Sequence, residues 1–152
     1  MANTILSLHS ILRWLLLVLL LASIIKSFNG WQSKKKFAPG DRKLFLFTLI
    51  TTHINFLIGL YLLFFGRFGI ISVGKPSGVD VMKDKFFRFF WVEHPVGMLI
   101  AIVLITLGNA MAKKNVTDTI KFKKAFWFFF IALIIILATV PWPFREIGRP
   151  WI

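Results

Sequence analysis

The chain has 152 residues, 57% of them hydrophobic, with 18 Phe and 6 Trp and a formal net charge of +13. Its mean hydropathy is +0.77. So much apolar surface in so short a chain exceeds what one small water-soluble core can bury, which excludes an ordinary soluble enzyme. The same hydrophobicity excludes a disordered basic tail. Cysteine is absent, so disulfides, thiolate metal sites and cysteine nucleophiles are excluded as well.

Four apolar runs follow in chain order, at about 5–25, 44–65, 86–111 and 125–140. Each is long enough, or nearly so, for the roughly 20 residues a bilayer core requires. Each is apolar nearly all round, unlike a soluble amphipathic helix. The first run is too long for a signal peptide, and no base precedes it. It reads as a retained helix. The fourth is stopped by Pro141 and Pro143. The expected fold is an all-α integral membrane four-helix bundle, a single domain over 1–152, with up-down topology.

The charges fall between the runs. The loop at 26–43 and the loop at 112–124 together hold eleven bases and two acids, net +9. The middle loop and the C-terminal tail hold seven bases and three acids, net +4. By the positive-inside rule the first and third loops face the cytoplasm and both termini face outward. The bases then report topology and contact with a lipid bilayer, and no nucleic acid is implied. Trp31, Trp91, Trp142 and Trp151 fall near the run ends, as an interfacial aromatic belt would. A short strand or hairpin is expected at Gly69–Val73. GKPSG lacks the context and spacing of a phosphate-binding loop, and no nucleophile constellation is visible.

Few ionisable residues remain inside the runs: His9, Arg13, His53, Glu93 and His94. Such groups are costly in a bilayer and usually serve an ion, a proton or a cofactor, or else knot helices together. His9 and Arg13 share one helix face. Arg13 and Glu93, at similar depths, are expected to pair or, as cofactor-binding residues, to meet a haem propionate or a quinone headgroup. Pro95, directly after His94, should kink the helix and aim the imidazole inward. Gly59 and Gly97 would leave room beside the rings.

Neutral imidazoles on facing spans suit haem b, whose macrocycle needs an apolar slot. Phe56, Phe64, Phe65, Phe89, Phe90 and the run at 126–130 are available for one. Propionates would reach toward Arg67, Lys75 or Arg88. A three-histidine metal site is the second reading. A proton relay through His and Glu is the third. For the haem pair, depth favours His9 with His94, whereas packing of successive helices favours His53 with His94. The preferred pair is His53 with His94, with His9 as the third candidate.

The segments LHSILRW, THINFLIGLYLLF, RFFWVEHPVGMLIAIVLITLGNA and VPWPF resemble a small four-helix membrane family of Bacteroidetes labelled cytochrome B, over nearly the whole chain. More broadly the arrangement is similar to cytochrome b561-like proteins. The resemblance implies haem b on His53, His94 and His9, with electrons passing to or from quinone. Two bis-histidine haems need four histidines, and this chain has three. Met98, one turn after His94, shares its face and does not oppose it across a haem. The expected function is electron transfer in a bacterial inner membrane, by an electron carrier rather than a stand-alone enzyme. Other membrane subunits or a homo-oligomer are the expected partners. A cofactor-free accessory subunit is the competing expectation.

Overall fold

A computed structural model describes residues 2–74, 77–149 and 151. Lys75 and Pro76 lie outside the described residues, so the place of Lys75 as a propionate partner is not addressed by it. Four helical stretches are long and apolar enough to cross a membrane, and no strand occurs among the described residues.

Helix α1 runs Ala2–Gln32 and α2 runs Pro39–Phe65. The connection is therefore only residues 33–38, much shorter than the 26–43 loop expected. Apolar content marks the part of a helix that sits in lipid, but the helix itself continues until its hydrogen bonds are capped. Pro39 occupies the first turn of α2, where a missing N–H costs nothing. Asp41 accepts a bond from the Ala38 N–H at 2.9 Å and closes that end. At 1.5 Å per residue α1 is about 46 Å long, more than the hydrocarbon core, so its ends reach the headgroups.

The middle segment contains two single helical turns, α3 at Ile70–Val73 and α4 at Lys85–Arg88. The hairpin expected at Gly69–Val73 is not formed. The Val73 N–H bonds the Gly69 carbonyl at 2.9 Å, and the Gly74 N–H bonds Ile70 at 3.1 Å. Gly74 then ends the turn with φ of 66°, which its missing side chain permits.

The third crossing starts in α4, passes through a π-helical turn at Phe89–Glu93 and continues as α5, His94–Ala110. A 3₁₀ turn at Met111–Lys113 ends it. Pro95 explains the π turn. Its ring has no N–H to donate and crowds the preceding turn. The chain widens there, and the His94 N–H bonds Phe89, five residues back. Helix α6 runs Asp118–Thr139, seven residues longer at its start than expected, with Asp118 favourably placed in its first turn.

The helices close into a ring in which α1 packs on α2 and α6, and α5 on α2 and α6. Paired positions run in opposite order. Lys26 meets Asp41, Ser23 meets Thr48 and His9 meets Gly59 on the first pair. Gly97 meets Thr139 and Gly108 meets Phe129 on the last. These glycines admit large neighbours: a Cβ on Gly108 would stand 2.5 Å from the Phe129 ring.

The core is not uniform. Around α5 and α6 it is apolar, built on Ala101, Ile105, Ala125, Phe129, Ala132 and Ile136. Every buried polar side chain among the described residues lies on α1 or α2. The outward faces of all four crossings carry exposed Leu, Ile, Val and Phe, as lipid contact requires.

Beyond α6 the tail turns back over one end of the bundle. The Arg149 guanidinium lies 4.6 Å from the Phe68 ring centre, 4.9 Å from Phe90 and 5.3 Å from Phe86. Burial among these rings, and then the nearby Arg67 charge, lower its pKa from the ordinary value. Lys85 bonds Glu146 at 3.2 Å on the same surface.

Candidate functional site

Under that tail, all four crossings contribute to one polar cluster. His9 comes from the N-terminal part of α1 and His94 is the first residue of α5. Their ring centres are 6.5 Å apart, with planes at 83°. The His94 Nδ1 lies 2.8 Å from the carbonyl oxygen of Thr139. A carbonyl only accepts, so Nδ1 carries the proton and Nε2 keeps its lone pair. Thr139 is the last residue of α6, where a helix leaves carbonyls without internal partners. Gly97 makes that bond possible: a Cβ there would stand 2.5 Å from the Thr139 methyl. Phe89 is buried and stacks beside His94, with ring centres 6.2 Å apart and planes at 24°.

His9 packs on Gly59, where a Cβ would approach its Cε1 to 3.2 Å. Asn55, one turn earlier on α2, lies beside the ring. The Nδ1 of His9 and the Oδ1 of Asn55 are both buried, and neither has a hydrogen-bond partner. A small rotation pairs them as donor and acceptor, which would also leave the Nε2 of His9 with a free lone pair.

Arg13 is buried one turn below His9. Its expected pairing with Glu93 does not occur. Its Nη2 donates to the Trp151 carbonyl at 2.7 Å, and the Trp14 indole donates to the same oxygen at 3.0 Å. The guanidinium also stands 5.5 Å from the Trp14 ring centre and 5.8 Å from that of Trp142. Aromatic faces and a carbonyl thus take the place of a carboxylate. Glu93 instead accepts from the Arg88 Nε at 2.8 Å, outside the bundle. The π turn explains the swap, since it brings positions five apart onto one face.

His53 is also displaced from its expected role. It is exposed on the outer face of α2, and its Nδ1 bonds its own helix at the Leu49 carbonyl, 2.9 Å away. Helix geometry dictates this. Positions two apart differ by about 200° around the axis. Burying Thr51, Thr52 and Asn55 turns His53 outward. The preferred pair of His53 with His94 is therefore not assembled, and His9 takes its place. No group of three His, Cys, Asp or Glu able to hold a metal ion exists among the described residues, so the three-histidine metal site is not formed. With Glu93 outside, the His–Glu relay is not assembled either.

Of the proposed aromatic slot, Phe89 is the ring that stacks on the histidine pair among the described residues. Phe126 lies near the opposite end, packed on Phe28 and Trp31. Phe64 and Phe65 are exposed. Among the expected propionate partners, Arg67 lies on the Phe68 ring and Arg88 is held by Glu93. Thr139 and the Trp151 carbonyl escaped sequence reasoning. The stop signal VPWP after Thr139 was the available hint, because it implies a free helix-end carbonyl there.

No protein family, curated protein or solved structure matches this chain.

Proposed function

We propose that this chain is a membrane-embedded haem b cytochrome that carries electrons, in which His9 and His94 would hold the haem iron. The observation that carries the reading is the spacing of the two rings. An imidazole nitrogen sits about 2 Å from a metal that it ligates and ~1.1 Å from its ring centre, so two rings on one iron have centres about 6 Å apart. The observed 6.5 Å is close to that distance. The donor set fits as well. His94 has its second nitrogen anchored on a carbonyl, the usual means of orienting a ligating histidine. Gly59 lets the His9 ring pack directly on the backbone of α2.

A haem b held there would supply a one-electron couple. The protein residues have the remaining tasks. Thr139 fixes the tautomer of His94, and Asn55 stands beside His9 as the partner its Nδ1 would bond. Phe89 covers one face of the His94 ring, and the apolar outer faces of the helices separate the pair from lipid. Arg13, held by Trp14, Trp142 and Trp151, provides a buried positive charge beside the site, which favours an anionic group there. The partner proposed for electron exchange is a membrane quinone. The setting proposed is a bacterial inner membrane, with up-down topology and both termini outside, either within a larger assembly or as a homo-oligomer.

The test is the visible spectrum of the purified protein after dithionite. A Soret band with a sharp reduced α-band near ~560 nm is the expected result. A colourless, folded preparation overturns the proposal and favours a cofactor-free accessory subunit, in which the His94–Thr139 bond only locks helices.

A further inference from the structure

The polar groups of the α1–α2 seam form a sequence in depth. At one end Asp41, buried, faces Lys26 at 3.4 Å. Next comes Ser27, then Ser23, whose hydroxyl meets that of Thr48 at 2.9 Å. The Thr52 hydroxyl bonds the Thr48 carbonyl one turn farther along, at 2.7 Å. Asn55 follows, beside His9. A groove of about 570 Å³ opens at the Asp41 end, lined by Lys26, Lys36 and Gly30 among others.

Helix–helix adhesion accounts for the Ser23–Thr48 bond. It does not account for two other oxygens in the same seam. Ser27 Oγ belongs to a residue with 0% exposure and has no partner. Asn55 Oδ1 is buried and also has none. They flank the hydroxyl series, one toward the groove and one toward the histidines. Lipid offers neither donor nor acceptor, so partners for these atoms must come from inside the protein. The Asn55 oxygen has two lone pairs, one for the His9 N–H and one for something else. Buried polar atoms of this kind are the usual sites of internal water.

We infer that the α1–α2 seam is an aqueous inlet: a file of bound waters runs from the lysine-rimmed groove past Ser27 and the Ser23–Thr48 pair to Asn55. The ligand is water. The inlet connects the histidine pair with the aqueous phase at the basic end. Its destination rests on the proposed haem site, whereas the waters themselves need no cofactor. Among the described residues, the buried core of α5 and α6 holds Ala, Ile and Phe and no polar side chain that could continue such a file.

The chain has no cysteine, so introduced thiols are read without background. Ser27→Cys, Thr48→Cys and Thr52→Cys change volume little. Ala125→Cys and Ala132→Cys serve as controls, because both positions are fully buried in the apolar core. The probe is silver ion, with loss of free thiol followed by mass spectrometry. A thiol in water ionises and reacts, whereas one buried in apolar surroundings does not, so the seam positions should react at least about tenfold faster than the controls. Equal rates overturn the inlet. Hydroxyl-radical footprinting of the unsubstituted protein gives a second measurement that needs no variant. Leu16 and Leu20 share the helix face of Ser23. They should be oxidised, and Ile105 and Ile136 should not. Oxidation of neither pair overturns the inlet. Both measurements apply equally to a colourless preparation, so failure of the haem reading and failure of the inlet are separately visible.

Discussion

A helix turns by about 100° per residue, so adjacent polar residues in a sequence serve different surroundings. The TTHIN segment shows this. Thr51, Thr52 and Asn55 are buried inside the bundle, and His53 between them is exposed. The sequence displays three histidines of the same chemistry at plausible depths. It does not display which of them faces inward, because that depends on which stripe of α2 packs. The same holds for Arg13 and Glu93, matched in charge and depth but separated by the π turn. The site therefore predicts unequal effects of equal substitutions. His9→Ala and His94→Ala should each abolish the reduced α-band near ~560 nm, since each removes one of the two imidazoles that would hold the iron. His53→Ala should leave band position and amplitude unchanged. Loss of the band in His53→Ala alone would return the assignment to the outer face of α2.

At the scale of elements, the crossings were legible and their ends were not. Hydropathy reports the lipid-embedded part: the first three runs lie within observed crossings, and the fourth overruns its helix by one residue, Val140. Ends depend on capping, as at Pro39 and Asp41, and these signals sit outside the apolar run. Pro95 was legible as a disturbance, but its resolution as a wider turn was not, because a kink and a π turn both relieve the same clash. The α5–α6 contact is the element pair most sensitive to volume. A Cβ on Gly97 would meet Thr139 at 2.5 Å, and the His94–Thr139 bond depends on that approach. Gly97→Val should cost about 1–3 kcal/mol, as overpacking does. Gly40, in the first turn of α2, has nothing within 4 Å of an added Cβ. Gly40→Ala should be neutral or stabilise by up to ~1 kcal/mol through the unfolded chain. Denaturation in detergent checks both. Equal effects would mean that the α5–α6 approach is not tight.

At the scale of the molecule, the combination of high hydropathy with charge +13 becomes an asymmetry between two ends. Opposite-order packing places residues 33–38 and 114–117 at one end. The middle segment and the tail lie at the other, where Arg149 and Glu146 hold them together. The first end carries the greater number of bases, and both of its acids are already engaged, Asp41 with Lys26 and Asp118 with Lys121. The remaining lysines there have anionic lipid as their natural counterion, worth about 1 kcal/mol for each base near the surface. The proposed topology predicts that this end is retained in the cytoplasm, because basic short loops resist translocation. The absence of cysteine makes the prediction direct to test. Lys35→Cys marks the basic end, and Ser77→Cys marks the other; both positions are exposed. A membrane-impermeant maleimide added to intact spheroplasts should label Ser77→Cys at once. It should label Lys35→Cys only after the membrane is opened. The reverse pattern would invert the topology and place the histidine cluster, which lies under the tail, in the cytoplasmic half of the bilayer.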